Sequence, residues 1–314
     1  MKLSIIIPVY NASSYIPGCL DRLIKQPFKS IEIILIDDGS TDNSASICDE
    51  YAQKDHRIRV KHELHAGVAH SRQIGLEEAQ GDFILYVDAD DVVDTNMITD
   101  MYQNAIEEDA DIVICDYREL THDGVVYRKQ EPSTLSGVVV LNEMLSGKIY
   151  GALWNKMMRR DWLMKTNASF PQELTMREDL IFLSQCLPYA QKIVYIAKAY
   201  YGYERRNTSA LTSNYVNESP SYYNQECLWV NLILKNKFIY ATTRTRLETY
   251  YFTLAYITLL KGLFYKRLWN KYFLSHERLL DYGIGFRKHI VSLAYHGHFN
   301  LSQILRTFIS KIKL

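Results

Sequence analysis

No CxxC pair occurs in this 314-residue chain, and its five cysteines (Cys19, Cys48, Cys115, Cys186, Cys227) are odd in number and far apart. That argues against a disulfide frame and against a thiolate zinc site. Long apolar runs are missing too: the most apolar late segment, residues 250–260, falls well short of the roughly 20 residues a membrane-spanning helix needs. The first residues, Met1-Lys2-Leu3-Ser4-Ile5, lack the charged region, apolar stretch and small-residue cleavage site of an export signal, so the expectation is a cytoplasmic protein. No internal repeat or low-complexity tract stands out. Net charge is zero, 36 basic residues against 36 acidic, but unevenly spread. Residues 1–213 hold 22 Lys and Arg against 31 Asp and Glu, whereas residues 214–314 hold 14 against 5. A basic tail on an acidic body implies either an anionic partner for the tail or a tail that docks on its own body.

What is present is ordinary globular material, 47% hydrophobic, with one concentrated feature: Tyr86-Val87-Asp88-Ala89-Asp90-Asp91. Three carboxylates stand where the apolar run 83–87 stops. On a strand, residues two apart share a side, so Asp88 and Asp90 can face one ligand while Ala89 packs away. Hard oxygens of this kind suit Mn²⁺ or Mg²⁺, ions that usually arrive bridging phosphates. Along the chain, apolar runs at 5–9, 31–36, 57–61, 83–87 and 111–115 alternate with helical patterns at 13–25, 42–54 and 68–79. That alternation predicts an α/β fold with a mostly parallel, Rossmann-like sheet covered on both faces, its ligands beyond the carboxyl ends of the strands. Tyr10-Asn11, Asp37-Asp38-Gly39-Ser40 and Asp88-Ala89-Asp90-Asp91 all lie at such ends, so one crevice can receive all three. From 123 to 150 the pattern loosens into short extended pieces, and beyond 221 it is helical and aromatic.

In order, Ser4-Ile5-Ile6-Ile7-Pro8-Val9-Tyr10-Asn11, Ile36-Asp37-Asp38-Gly39-Ser40-Thr41-Asp42, Gly67 to Gly75 around Arg72, Val87-Asp88-Ala89-Asp90-Asp91 and Glu178-Asp179 together resemble a family 2 glycosyltransferase of the GT-A fold, of the bacterial capsule and exopolysaccharide type. The resemblance covers about the first 210 residues. It implies a GT-A catalytic domain over 1–213, with a nucleotide-sugar part to about 118 and an acceptor part over 119–213, followed by a helical extension over 214–314. It further implies an inverting, metal-dependent transfer of a sugar from a nucleotide diphosphate, UDP first, to a hydroxyl of a surface-glycan or lipid-linked precursor. Pro8, Val9, Tyr10 and Asp38 then hold the base, a carboxylate being a fit acceptor for a uracil N3–H. Arg72 serves the diphosphate at a helix start; Asp88 faces the ribose and, with Asp90, the metal; Asp91 reaches the donor sugar. Asp179 is the general base, with Glu178 orienting donor or acceptor. Trp154 and Lys156 line the acceptor site, and Arg206 stands in for the usual Arg where Glu204 occurs. Gln73 and His65 depart from the family's usual Asn.

Each of these residues also has a plainer reading: turn formation for Asp37 to Ser40, helix capping for Asp42 and Asp94, dipole matching for Glu178 and Asp179, core packing for Trp154. In the tail, Lys261, Lys266, Arg267 and Lys271 interleave with Leu263, Phe264, Tyr265, Leu268 and Trp269, which suits peripheral attachment to the anionic inner face of the cell membrane or, alternatively, a homodimer contact. No motif supports nucleic-acid binding. A sugar nucleotidyltransferase, or a non-catalytic nucleotide-binding partner subunit, is the competing class.

Overall fold

The computed structural model describes residues 2–208, 219–260, 266–276, 278–298 and 302. The chain divides into two compact units, residues 1–214 and 215–314. In the first, strands β1 (Leu3–Val9), β2 (Ile31–Asp37), β3 (Ile58–His62) and β4 (Phe83–Tyr86) run parallel in the order β3-β2-β1-β4, separated by α1 (Ile16–Ile24), α2 (Ser44–Lys54) and α3 (Val68–Glu78). Alternate residues go to opposite faces, as strand geometry requires. Leu3, Ile5, Ile7, Ile33, Leu35, Phe83 and Leu85 join Cys19, Leu20 and Leu23 of α1 in one core. Ile6 of β1 faces α3, where a Cβ on Gly75 would come within 2.2 Å of its methyl, so only glycine lets helix and strand approach this closely.

The rest of the sheet departs from the mostly parallel expectation. β8 (Lys156–Arg159) runs antiparallel between β4 and β6 (Ile112–Thr121), β9 (Ile193–Glu204) runs parallel to β6, β5 (Val92–Val93) antiparallel to β9, and β7 (Gly124–Arg128) forms a hairpin on β6. The segment read as loosely extended contains a helix, α5 (Gly137–Leu145), whose Val138-Val139-Val140 run masked it. Its first residue packs so tightly on the Leu187 carbonyl that no side chain fits there. The remaining helices of this unit are α4 (Met97–Glu107), α6 (Arg160–Lys165) and α7 (Glu178–Cys186).

In the second unit, α8 (Pro220–Leu234), α9 (Ala241–Leu260), α10 (Lys266–Tyr272) and α11 (Gly285–Tyr295) build an aromatic core. Ser219 caps α8 by accepting the Tyr222 N–H at 3.0 Å. Trp269, fully buried, donates its indole N–H to the Ala255 carbonyl at 3.1 Å, and the Tyr251 hydroxyl donates to the Tyr272 carbonyl at 2.8 Å. The basic and aromatic mixture therefore separates on folding: Trp269 is core, while Lys266, Arg267 and Lys271 keep more exposure. Lys261, Leu263, Phe264 and Tyr265 lie outside the described residues. Among the described residues no helix is long and apolar enough to cross a membrane.

Candidate active site

The strand order reverses between β1 and β4, and the polar clusters gather at that carboxyl edge. Beyond β1, Asn11 adopts a left-handed φ of 49°. Its side-chain carbonyl accepts the Thr41 N–H at 2.8 Å, while its own N–H donates to the Ser40 hydroxyl at 3.0 Å. Asp42 accepts N–H groups from Ser13 at 3.0 Å and Ser44 at 2.9 Å, tying the start of α2 to the turn before α1. Burial acts to raise its pKa, but the bonds from Ser44 and Ser13 win and lower it to about 2. Asp94, expected as another cap, instead grips Arg118 of β6.

Asp38, 2% exposed, already faces three donors: the N–H of Ala66 at 2.8 Å, that of Gly67 at 2.9 Å, and the His65 ring at 2.9 Å. The carboxylate expected to meet a base thus also folds the loop before α3. Gly39 at φ +66° permits this, since a Cβ there would sit 2.8 Å from the His65 nitrogen. Tyr10, 46% exposed, stacks on His65 at 4.1 Å and 20°. Of the residues expected around a base, Tyr10 presents the open ring. Pro8 is partly covered, and Val9 is a core side chain whose carbonyl accepts the Asp38 N–H at 2.8 Å.

Arg72 rises from α3 into the middle of the site. One guanidinium nitrogen donates to Asp88 Oδ1 at 2.9 Å and another to Glu178 Oε1, so the Asp-x-Asp turn and the start of α7 are joined through one side chain. It is 5% exposed, which replaces the expected open diphosphate contact by a buried clamp. Burial disfavours its charge, yet Asp88 and Glu178 outweigh that and raise its pKa. α7 begins abruptly because Arg177 takes a left-handed φ of 65°, setting Glu178 and Asp179 in its first turn. Burial lifts the Glu178 carboxyl to about 7 against the pull of Arg72, with Asp179 adding to the rise. Asp179 keeps partial exposure, and burial together with Asp88 raises its pKa despite Arg72.

Asp90 accepts a 2.7 Å bond from the side-chain amide of Asn207, whose carbonyl accepts from the Tyr15 hydroxyl at 3.1 Å. Burial and Asp88 raise the Asp90 pKa. Asp91, expected at the donor sugar, is 3% exposed and holds the Glu204 N–H at 2.7 Å, so it braces β9. Burial and the charges of Asp88 and Asp90 put its pKa well above the carboxylate range. The Tyr201 hydroxyl accepts the Asp88 N–H at 3.1 Å. Tyr15 carries no signal in the sequence as a site residue, whereas Tyr201 and Asn207 lie in the stretch 201–209, which resembles the family's element closing over the diphosphate. Among the described residues no group of three His, Cys, Asp or Glu side chains is set to hold a metal. Asp88 and Asp90 nevertheless fit a cation shared with a ligand's phosphates: each keeps a second oxygen outside the bonds named, and mutual repulsion already raises Asp90.

Three further residues sit elsewhere than expected. Lys156 is fully buried, donating to the carbonyls of Tyr150 at 3.0 Å and Ala152 at 2.6 Å and to the Asn155 side chain at 2.7 Å. With its three protons engaged it fastens the loop before β8 rather than touching a sugar, and burial lowers its pKa to about 7. Trp154 is 3% exposed, stacked on Tyr201 at 4.5 Å and edge-on to Tyr117 at 4.8 Å, so it is core rather than acceptor wall. Arg206 is half exposed and folded back on Glu204, its Nε 2.7 Å from Oε1.

The site is thus the switch point of an α/β sheet, with acidic strand ends and a buried arginine that joins one of them to the start of α7. The family model for glycosyl transferase family 2 matches residues 4–166, and the chain belongs to that family. GlyG of Streptococcus pneumoniae is 46% identical over 116 residues, covering 37% of this chain and 38% of GlyG. EpsH of Bacillus subtilis is 33% identical over 219 residues, covering 68% of this chain and 63% of EpsH. The chain thus spans less than two thirds of these relatives' length. A crystal structure of residues 1–349 of TarS from Staphylococcus aureus, in complex with UDP-GlcNAc, superposes with a TM-score of 0.71 at 23% identity over 100% of this chain and 92% of that one. That likeness shows the fold: GT-A, with a helical C-terminal region, as the resemblance implied.

Proposed function

We propose that the chain is an inverting, metal-assisted glycosyltransferase that moves a sugar from a UDP-sugar to a hydroxyl of a cell-surface glycan precursor. One observation carries the reading: Arg72 bonds both Asp88 and Glu178, so the donor-side carboxylates and the proton-accepting carboxylates lie within reach of one side chain. UDP is favoured by the half-exposed Tyr10 ring, which with the stacked His65 offers an aromatic surface to a base, and by the likeness to a structure that holds UDP-GlcNAc. Asp88 and Asp90 would hold Mn²⁺ or Mg²⁺, which when bound neutralises charge on a departing diphosphate. Asp179 removes the acceptor proton: it keeps partial exposure and its pKa is raised, and a stronger proton acceptor near neutral pH is what a general base requires. Glu178, pinned by Arg72, fixes the direction of Asp179 in the same helical turn. The excess positive charge of residues 214–314 supports attachment to an anionic membrane face where lipid-linked acceptors lie.

The test offers the purified protein a panel of UDP-sugars with Mn²⁺ and follows UDP release, with calorimetry of UDP binding alongside. Release from one sugar that stops on chelation and in Asp90→Ala is the expected result. Absence of both release and UDP binding overturns the donor assignment, and pyrophosphate from UTP and a sugar phosphate would make it a nucleotidyltransferase. Flotation with anionic liposomes checks the membrane contact, which is overturned if the protein stays with the soluble fraction.

A further inference from the structure

The edges of the large sheet are finished differently. At one, β3 carries Arg59, Lys61 and His62, all held in ion pairs with Glu32, Glu78 or Asp37, the usual protection of an edge against pairing with another chain. β7, a further free edge off the main strand order, is finished otherwise and carries a single ion pair among the described residues, Arg128 with Glu119 of β6. It pairs only with β6, every one of its five residues is exposed, and Val125, Val126 and Tyr127 are the only sequence-adjacent exposed large hydrophobics among the described residues. Tyr127 is held in place by a bond from its hydroxyl to Asp116.

We propose that β7 is a homodimerisation edge, pairing antiparallel with β7 of a second copy about a two-fold axis through Val126. The hairpin register fixes which groups are free. Thr121 pairs with Gly124 across the two-residue turn His122-Asp123, and a turn of this length closes on a hydrogen-bonded pair. Alternation then directs the N–H and C=O of Val126 and Arg128 to β6, and those of Val125 and Tyr127 outward. A two-fold axis at Val126 sets Val125 opposite Tyr127 of the second copy, so outward groups meet outward groups. The same register sets Asp123 opposite Lys129, both exposed, twice by symmetry. Shifting the axis to Val125 or Tyr127 keeps the backbone parity but puts Asp123 against Tyr127, or Lys129 against Val125. Only the axis at Val126 matches charge with charge and apolar with apolar. Lys129 bonds Glu131 of its own chain at 2.5 Å, but that pair is solvent-exposed and exchanges at little cost. An interface built on one strand belongs to the small, transient class, below about 1,200 Å².

The test is sedimentation of the full chain over a concentration series reaching the millimolar range. A weak dimer is expected. Asp123→Lys or Lys129→Asp should each raise Kd by about tenfold, because each turns two opposed pairs into like-charge pairs. The double exchange D123K/K129D should return Kd to within about threefold of the starting value. Val125→Pro removes an outward N–H without touching the β6 ladder and should abolish the dimer. Should that variant fail to fold, the charge exchange decides alone, since both residues are exposed. A monomer at every concentration, or a dimer whose Kd ignores all these changes, overturns the proposal. Because the readout is association, it stands or falls independently of the donor assay.

Discussion

The same residue type does opposite work in two regions of one sheet edge. Around β1 and β2, Asp38 and Asp42 accept backbone N–H groups, and the bonds to Asp42 hold its pKa at about 2. Around β4 and α7, burial and neighbouring carboxylates raise the carboxyls of Asp90, Asp91, Glu178 and Asp179, with Arg72 countering the rise at Glu178 and Asp179. Carboxylates satisfied by backbone N–H groups organise loops. Carboxylates buried with too little positive charge keep a demand for a cation or a proton, which is what a reaction site needs.

Removing the proton acceptor breaks the second region's function most completely. Asp179→Asn should lower transfer by about 10²–10⁴-fold while UDP affinity stays within about twofold; loss of UDP binding would contradict its role. Next is Arg72→Met, which leaves the buried Glu178 and the partly buried Asp88 without their counter-charge and should cost about 3–5 kcal/mol in denaturant unfolding. The pH dependence separates the regions by sign. Glu178 is raised from its usual value near 4.5 to about 7, so its contribution to stability is present below 4.5 and lost as pH rises through 7. Wild type should lose on the order of 1–3 kcal/mol over that window that Glu178→Gln does not lose. Asp42, lowered from 3.8 to about 2, contributes above 3.8 and loses that contribution as pH falls toward 2. Asp42→Ala should cost about 1 kcal/mol at neutral pH, after allowing for its exposure, and flatten the acid limb of the unfolding curve. Smallest is Asn207→Ala, which removes the bonds to Asp90 and to the Tyr15 hydroxyl and should lower kcat/KM by about tenfold, as loss of a bond to a charged group implies.

The parallel half of the sheet was legible because its strands are buried on both faces and read as near-continuous apolar runs: residues 5–9, 33–36 and 83–87 leave little room for another reading. The mixed half was not. β8 is four residues long and β5 two, too short for a period to register, and Val138-Val139-Val140 reads as strand until packing against residue 187 makes it helix.

The same division runs through the site. Sequence alone determined that polar clusters stand at three strand ends, two of them acidic, and that a Glu-Asp pair opens a later helix, because strand ends and helix starts are local properties. Only the tertiary structure decided which of them remain open. It buried Lys156, Trp154 and Asp91, folded Arg206 onto Glu204, brought Asn207 to Asp90 across 117 positions of chain, and placed Arg72 between residues 16 and 106 positions away. Contacts of that range depend on how the layers pack, and a pattern of residues along the chain carries no measure of that.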